Sequence, residues 1–322
     1  MSRMRVLVCG SNYGRAYITA LAREPRKFQL AGIVAQGSLR SQQLAALNAV
    51  PLYRSTSELP DNIDLACAAM SSSAFPMVLH LIRRGIHVLC EHPCPAGCMR
   101  RAIDIARKNG VQFHVNGHFA NLPAPRAFIR ECRQATKQAR PEFVEVMATE
   151  RSLYGALDIL MAAMGSPQPL RVHVSSRRMK FVLLEGSLGN VPVRFSVQVS
   201  GNKGRGRLAD GSSGYLLDQR LTVAFPTGLL TLLSMAGPVL WNSTPVHVQN
   251  HEPLWSILCG QPTRMVAELQ EQRIQANVAG LNAIRQSILR HDPPEIQQPQ
   301  HILQVSRAWE LIGRQLYGRT GM

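Results

Sequence analysis

The chain has 322 residues, 45% of them hydrophobic, and a formal net charge of +16 from 36 Lys and Arg against 20 Asp and Glu. That length predicts two domains, each with its own core, and no apolar run reaches the roughly eighteen residues that a membrane span needs. The surplus of positive charge implies attraction to something acidic, but the cations are dispersed in pairs such as Arg83-Arg84, Arg100-Arg101 and Arg177-Arg178 and aromatics are only 6%, so nucleic acid is not the expected partner. The first strand begins almost at once, leaving no room for a signal peptide, and seven irregularly spaced cysteines suit free thiols in a reducing compartment; a cytoplasmic protein is expected.

In chain order, Val6 to Cys9 is a short apolar run. Gly10-Ser11-Asn12-Tyr13-Gly14 can turn tightly into a helix over Arg15 to Arg23, and a second strand follows at Leu30 to Gln36. This predicts the opening β-α-β unit of a nucleotide-binding domain, in which backbone N–H groups at the helix start meet a pyrophosphate. The match to G-x-G-x-x-G is incomplete, because Asn12 and Arg15 stand where two glycines would be, so an ordinary strand-turn-helix remains open. About twenty residues after the glycine turn, an NAD enzyme usually has an acid to hold the ribose 2′-hydroxyl. Here Ser38, Arg40 and Ser41 offer hydroxyls and a guanidinium instead, which suits a 2′-phosphate and predicts NADPH; a solvated loop that happens to carry an arginine is the plain alternative.

Further helices are predicted over Ser41 to Leu47, Phe75 to Arg84 and Gly97 to Asn109, and strands over Ile63 to Met70, Ile86 to Cys90 and Val111 to Asn116. Ser71 follows the third strand, as Glu91-His92-Pro93 follows the fourth; Ser71, Glu91 and His92 join Gly10 to Gly14 as expected cofactor-binding positions. Strands alternating with helices predict a parallel sheet covered on both faces, in a domain over residues 1–120. Residues 121–322 are expected to form the second domain. It opens with a helix from Pro123 to Lys137, a strand from Glu142 to Thr149 and an amphipathic helix from Tyr154 to Met164. Strands at Leu170 to Ser176, Lys180 to Glu185, Val191 to Val199, Leu216 to Phe225 and Leu229 to Leu233 then predict an open, mostly antiparallel sheet. A basic loop with Lys203, Arg205 and Arg207 lies between, and helices over Thr263 to Arg290 and His301 to Tyr317 close the chain. The fold class is α/β, with a Rossmann-like half followed by an α+β half whose exposed sheet face predicts a homodimer.

A Rossmann-like half, Glu-x-Pro after a strand and an open sheet together resemble the glucose-fructose oxidoreductase / inositol dehydrogenase superfamily. Within it, Val34 to Ala45, Pro51 to Tyr53, Gly85 to Pro93, Val115-Asn116, Leu153 to Leu160 and Gly237 to Trp241 resemble the thiazolinyl imide reductases of nonribosomal siderophore assembly. That resemblance implies NADPH-dependent reduction of a thiazoline C=N to a thiazolidine, on an intermediate tethered to a carrier protein of a nonribosomal peptide synthetase. It covers most of the chain, and a pyochelin-type pathway is preferred to a yersiniabactin-type one. The superfamily tripeptide is Glu-Lys-Pro, whereas here it is Glu91-His92-Pro93, with Pro93 expected to follow a cis peptide as in its counterparts.

Hydride delivered to an imine carbon leaves charge on nitrogen, so a proton donor is needed there. His92, at the carboxyl end of a parallel strand, is the first expected donor, and a purely structural histidine beside Pro93 is the alternative. His118, beside Phe119 where relatives can carry a tyrosine, is the second. Tyr154 and Asp158, spaced i, i+4 on one helix, are further catalytic candidates, although Asp158 could equally be a helix-pairing acid. Cys90, Cys94 and Cys98 match no common metal spacing, so no metal is expected. Two other activities stay open. A sugar or polyol dehydrogenase of the same superfamily is disfavoured by the missing lysine at 92, and a noncatalytic NADPH-binding regulator is the other, since such folds can bind dinucleotide without turning over.

Overall fold

The computed structural model describes residues 3–69, 75–165, 169–178, 180–199, 219–245, 253–260 and 265–318. Two compact units emerge: Met1–His118 with Arg273–Leu303, and Phe119–Gln272 with Gln304–Met322. The first unit is a six-stranded sheet in the order β3-β2-β1-β4-β5-β6, and every printed pairing in it is parallel. Its strands are β1 Met4–Cys9, β2 Phe28–Val34, β3 Leu52–Tyr53, β4 Leu65–Ala68, β5 His87–Cys90 and β6 Phe113–Val115. Helices α1 Gly14–Ala22, α2 Leu39–Leu47, α3 Phe75–Arg83 and α4 Ala96–Lys108 alternate with them. β1 and β4 are almost wholly buried, which is why they read as continuous apolar runs and not as alternating ones. Strand order reverses between β1 and β4, the place where open sheets of this kind bind ligands, just beyond the carboxyl ends of the strands.

Two features depart from the sequence expectation. β3 is a two-residue edge strand, too short to show any period, so six strands stand where five were expected. The core of this unit also takes in Val278, Leu281 and Ile284, with Ile274 and Ile288 packed at its margin. These belong to α7 Val266–Arg290, and their three- and four-residue steps put one apolar stripe against the sheet. Each fully buried aliphatic side chain of that stripe is worth about 1.5–3 kcal/mol.

The second unit is an eight-stranded sheet in the order β14-β13-β12-β11-β7-β10-β9-β8. Its strands are β7 Phe143–Thr149, β8 Leu170–Arg178, β9 Phe181–Leu188, β10 Val191–Gln198, β11 Gln219–Phe225, β12 Gly228–Leu232, β13 Val239–Ser243 and β14 Trp255–Cys259. All pairs are antiparallel except β7 with β10, in keeping with the mostly antiparallel sheet expected. β13 and β14 were not foreseen, being five residues each, partly exposed and separated by a register irregularity. Helices α5 Pro123–Gln138 and α6 Leu153–Met164 pack on each other and on this sheet, and α8 Pro299–Tyr317 closes the chain. α6 is not amphipathic as predicted, since every residue from Leu153 to Ala163 is buried. A helix enclosed by sheet and neighbouring helices needs no polar face, and Arg133 Nε donates to Ala162 O from the α5 side. The basic loop expected around Lys203, Arg205 and Arg207 lies outside the described residues.

Candidate functional site

The glycine turn leaves β1 at Gly10, whose φ of +100° only glycine adopts readily, and Gly10 N donates to Val34 O at 2.8 Å. A Cβ at Gly14 would stand 2.7 Å from Val8 Cγ1, so this glycine allows α1 to approach β1 closely, the task of the last glycine in a dinucleotide fingerprint. Two of the fingerprint's functions thus survive the altered spacing. Ser11 is nearly buried, while Asn12 and Tyr13 are exposed. α1 has no side-chain cap and no acid in its first turn, which leaves its amide donors for an anion. These features fit a pyrophosphate held at the turn.

After β2, Ser38 caps α2 by accepting from Ser41 N at 3.4 Å. Ser41 Oγ in turn donates to Ser38 O at 2.7 Å, and Ser41 is fully buried, so its hydroxyl serves the turn itself. Arg40 and Ser38 remain exposed. Arg40 Nε donates to Ser11 Oγ at 3.4 Å, tying the loop after β2 to the glycine turn. Ser71 lies outside the described residues.

At the end of β5, Glu91 is held from two other elements. Tyr17 OH on α1 and Asn116 Nδ2 after β6, the latter at 2.6 Å, both donate to Glu91 Oε1. Asn116 Nδ2 also lies 3.5 Å from Asn277 Oδ1 on α7. Burial first, and then the Glu91 charge, push the Tyr17 hydroxyl well above the usual tyrosine range, so it stays a donor. This network was not foreseen. Tyr17 sits among Ile18 and Leu21 on an apolar stripe and reads as core, and its partner is 74 residues away.

His92 follows Glu91 directly, and the His92–Pro93 peptide is cis as expected. The rings of His92 and His118 stack with centroids 6.4 Å apart and planes 17° from parallel, so two of the predicted catalytic residues come together. His118 is pushed down to about 3, by burial first and then by the neighbouring His92 and Arg273 charges. It is therefore neutral at ordinary pH and not a store of positive charge. Cys90 and Cys94 share a thiol hydrogen bond that raises Cys90 and lowers Cys94. Tyr154 and Asp158 belong to the second unit, buried to 3% and 6% exposure, and Tyr154 OH lies 3.4 Å from Ser306 Oγ.

A family of oxidoreductases with an NAD-binding Rossmann fold matches residues 4–117, and the C-terminal domain of Irp3-like thiazolinyl imine reductases matches residues 139–242. The chain thus joins the NAD-binding Rossmann domain of that oxidoreductase family to an Irp3-like C-terminal domain. No curated protein matches it. Among solved structures it is similar to GenD2 from gentamicin A biosynthesis in complex with NAD, at 18% identity and TM-score 0.72, covering 100% of this chain and 96% of that one. The WlbA dehydrogenase from Bordetella pertussis, in complex with NADH and UDP-GlcNAcA, is 14% identical with TM-score 0.71 over 99% of this chain and 96% of that one. UDP-N-acetylglucosamine 3-dehydrogenase GnnA from Acidithiobacillus ferrooxidans is 14% identical with TM-score 0.69 over 96% of each. Identities this low establish the fold shared by these oxidoreductases and leave the substrate of this Irp3-like member to its own side chains.

Proposed function

We propose that the protein is an NADPH-dependent thiazolinyl imine reductase that converts a carrier-protein-tethered thiazoline to a thiazolidine in nonribosomal siderophore assembly, of the pyochelin type. The observation that carries the reading is the His92–His118 pair at the carboxyl edge of the parallel sheet, in a chain whose C-terminal region matches Irp3-like reductases. NADPH, when bound, supplies the hydride that reaches the imine carbon. The glycine turn with the free first turn of α1 would hold its pyrophosphate, and Arg40 with Ser38 its 2′-phosphate.

His92 hands a proton to the imine nitrogen, and His118, kept neutral by burial, lies beside it without competing for positive charge. Glu91 is not the proton donor in this scheme. Fixed by Tyr17 and Asn116, it sets the backbone from which His92 projects. The +16 charge suits an acidic carrier protein, and the exposed Leu229, Trp255 and Ile257 of β12 and β14 suit a sheet-to-sheet homodimer. A cytoplasmic setting accords with free cysteines.

Cofactor consumption with three substrate classes tests the reading. NADPH should be oxidised in the presence of a thiazoline thioester and not with a sugar lactone or ketose. Reduction of NAD by a nucleotide sugar or polyol would instead favour a sugar dehydrogenase, and binding without turnover of any substrate a regulator.

A further inference from the structure

We propose that Arg54, a residue with no role so far, is the second cation of the 2′-phosphate subsite and sets cofactor choice together with Arg40. The inference rests on the NADPH reading and extends it to a side chain that no fingerprint marks. β3 pairs with β2 through Ile33–Leu52 and Val34–Tyr53, and Ala35 N donates to Tyr53 O at 3.0 Å. This pairing lays Arg54, the next residue, alongside the loop that leaves β2. Gly37 in that loop has φ +82°. A Cβ built on it would come within 3.1 Å of Arg54 Nε and 3.3 Å of Cζ, so the guanidinium lies on the bare face of the glycine. Gln42 Nε2 holds the same loop by donating to Gly37 O at 2.7 Å.

The loop carries no acid of its own. No Asp or Glu occurs from Phe28 to Ser57. The nearest acid in sequence, Glu58, accepts from the Arg54 backbone N–H at 2.9 Å, and the exposed guanidinium itself makes no hydrogen bond or ion pair among the described residues. Arg40, three residues past Gly37, engages Ser11 through Nε alone and keeps its terminal nitrogens for another acceptor. Two guanidinium groups therefore flank one glycine-lined loop at the point where the chain leaves β2, the place of the adenosine ribose in this fold. A phosphate monoester is a dianion with three acceptor oxygens, and two planar forks match it better than one. A ribose 2′-hydroxyl would leave both cations without an anion.

The test is equilibrium binding, followed by the fluorescence of the reduced nicotinamide, of NADPH and NADH to the full-length protein and to its Arg54→Ala, Arg54→Lys and Arg40→Ala variants. Arg54→Ala should weaken NADPH by about 10- to 100-fold, the loss expected for a hydrogen bond to a charged group, and leave NADH within about twofold. Arg54→Lys should fall between, since it keeps the charge and loses the fork. 2′-Phospho-ADP-ribose should follow NADPH, and ADP-ribose should follow NADH. If Arg54→Ala keeps the wild-type preference while Arg40→Ala loses it, or weakens both cofactors equally, Arg54 has no such role although the NADPH reading stands. If the wild-type protein binds NADH as tightly as NADPH, the cofactor reading itself fails.

Discussion

Replacing Tyr17 with Phe removes one hydroxyl and keeps the ring that fills the core between α1 and the sheet. Tyr17 is 1% exposed, and its hydroxyl donates to Glu91 Oε1. A hydrogen bond to a charged group contributes about 1.5–3 kcal/mol, and the lower half of that range applies because Glu91 is only partly buried and keeps the Asn116 donor. For a unit of this size, a loss of about 2 kcal/mol lowers Tm by roughly 4–8 °C. Glu91 precedes His92, so the same change should lower kcat several-fold by loosening the backbone that presents the imidazole, with NADPH affinity little altered. Thermal unfolding followed by circular dichroism, with steady-state kinetics alongside, provides the readout. A Tyr17→Phe protein that melts with the parent and turns over at the parental rate would show that the Tyr17–Glu91 contact positions nothing.

Three further outcomes follow from the same residues. His92→Asn should reduce kcat by about 10²–10⁴, the usual value of positioned acid catalysis, with NADPH binding unchanged; if His118→Asn alone has that effect, the two roles are exchanged. His114, buried and 2.9 Å through Nε2 from Gln112 Oε1, is pushed down to about 4 by burial first and then by His87. Its neutral form is favoured in the native state, so its contribution is complete above the unfolded value near 6.5. It is lost as pH falls through the native value, on the order of 3 kcal/mol in all. Urea unfolding between pH 7 and 4.5 should show this slope, reduced in His114→Phe if that variant folds. Gly14→Ala should cost about 1–3 kcal/mol, because its Cβ would force α1 away from Val8, and it should weaken both dinucleotides together; unchanged stability and binding would remove the packing role assigned to this glycine.

The parallel half was legible because its signals are local: apolar runs, glycine at the exit of β1, and the tripeptide at the end of β5. Glycines at 85 and 110, both with positive φ, also mark where helices stop. What escaped depends on distant partners. Tyr17 and Glu91 meet across 74 positions, and α7 joins the first core from beyond the second sheet, which composition does not announce. The i, i+4 spacing of Tyr154 and Asp158 suggested a polar face, but α6 is enclosed on every side, so spacing alone did not tell a face from an interior. Arg54 went unmarked because its meaning comes from β3, two residues long, and from a glycine seventeen positions earlier. The pair His92 and His118 was named from strand ends, and their stacking became visible only when β5 and β6 were laid side by side.

The central claim is that a hydride reaches the carbon of a thiazoline C=N. The most direct measurement uses NADPH deuterated at C4 of the nicotinamide, prepared separately on each face, with a thiazoline thioester and the full-length protein, and reads the product by mass spectrometry and NMR. One face should deliver a single deuterium to the former imine carbon of a thiazolidine, with the nitrogen proton drawn from solvent. A product without deuterium from either face, or NADPH oxidised while the thiazoline stays intact, would contradict the account.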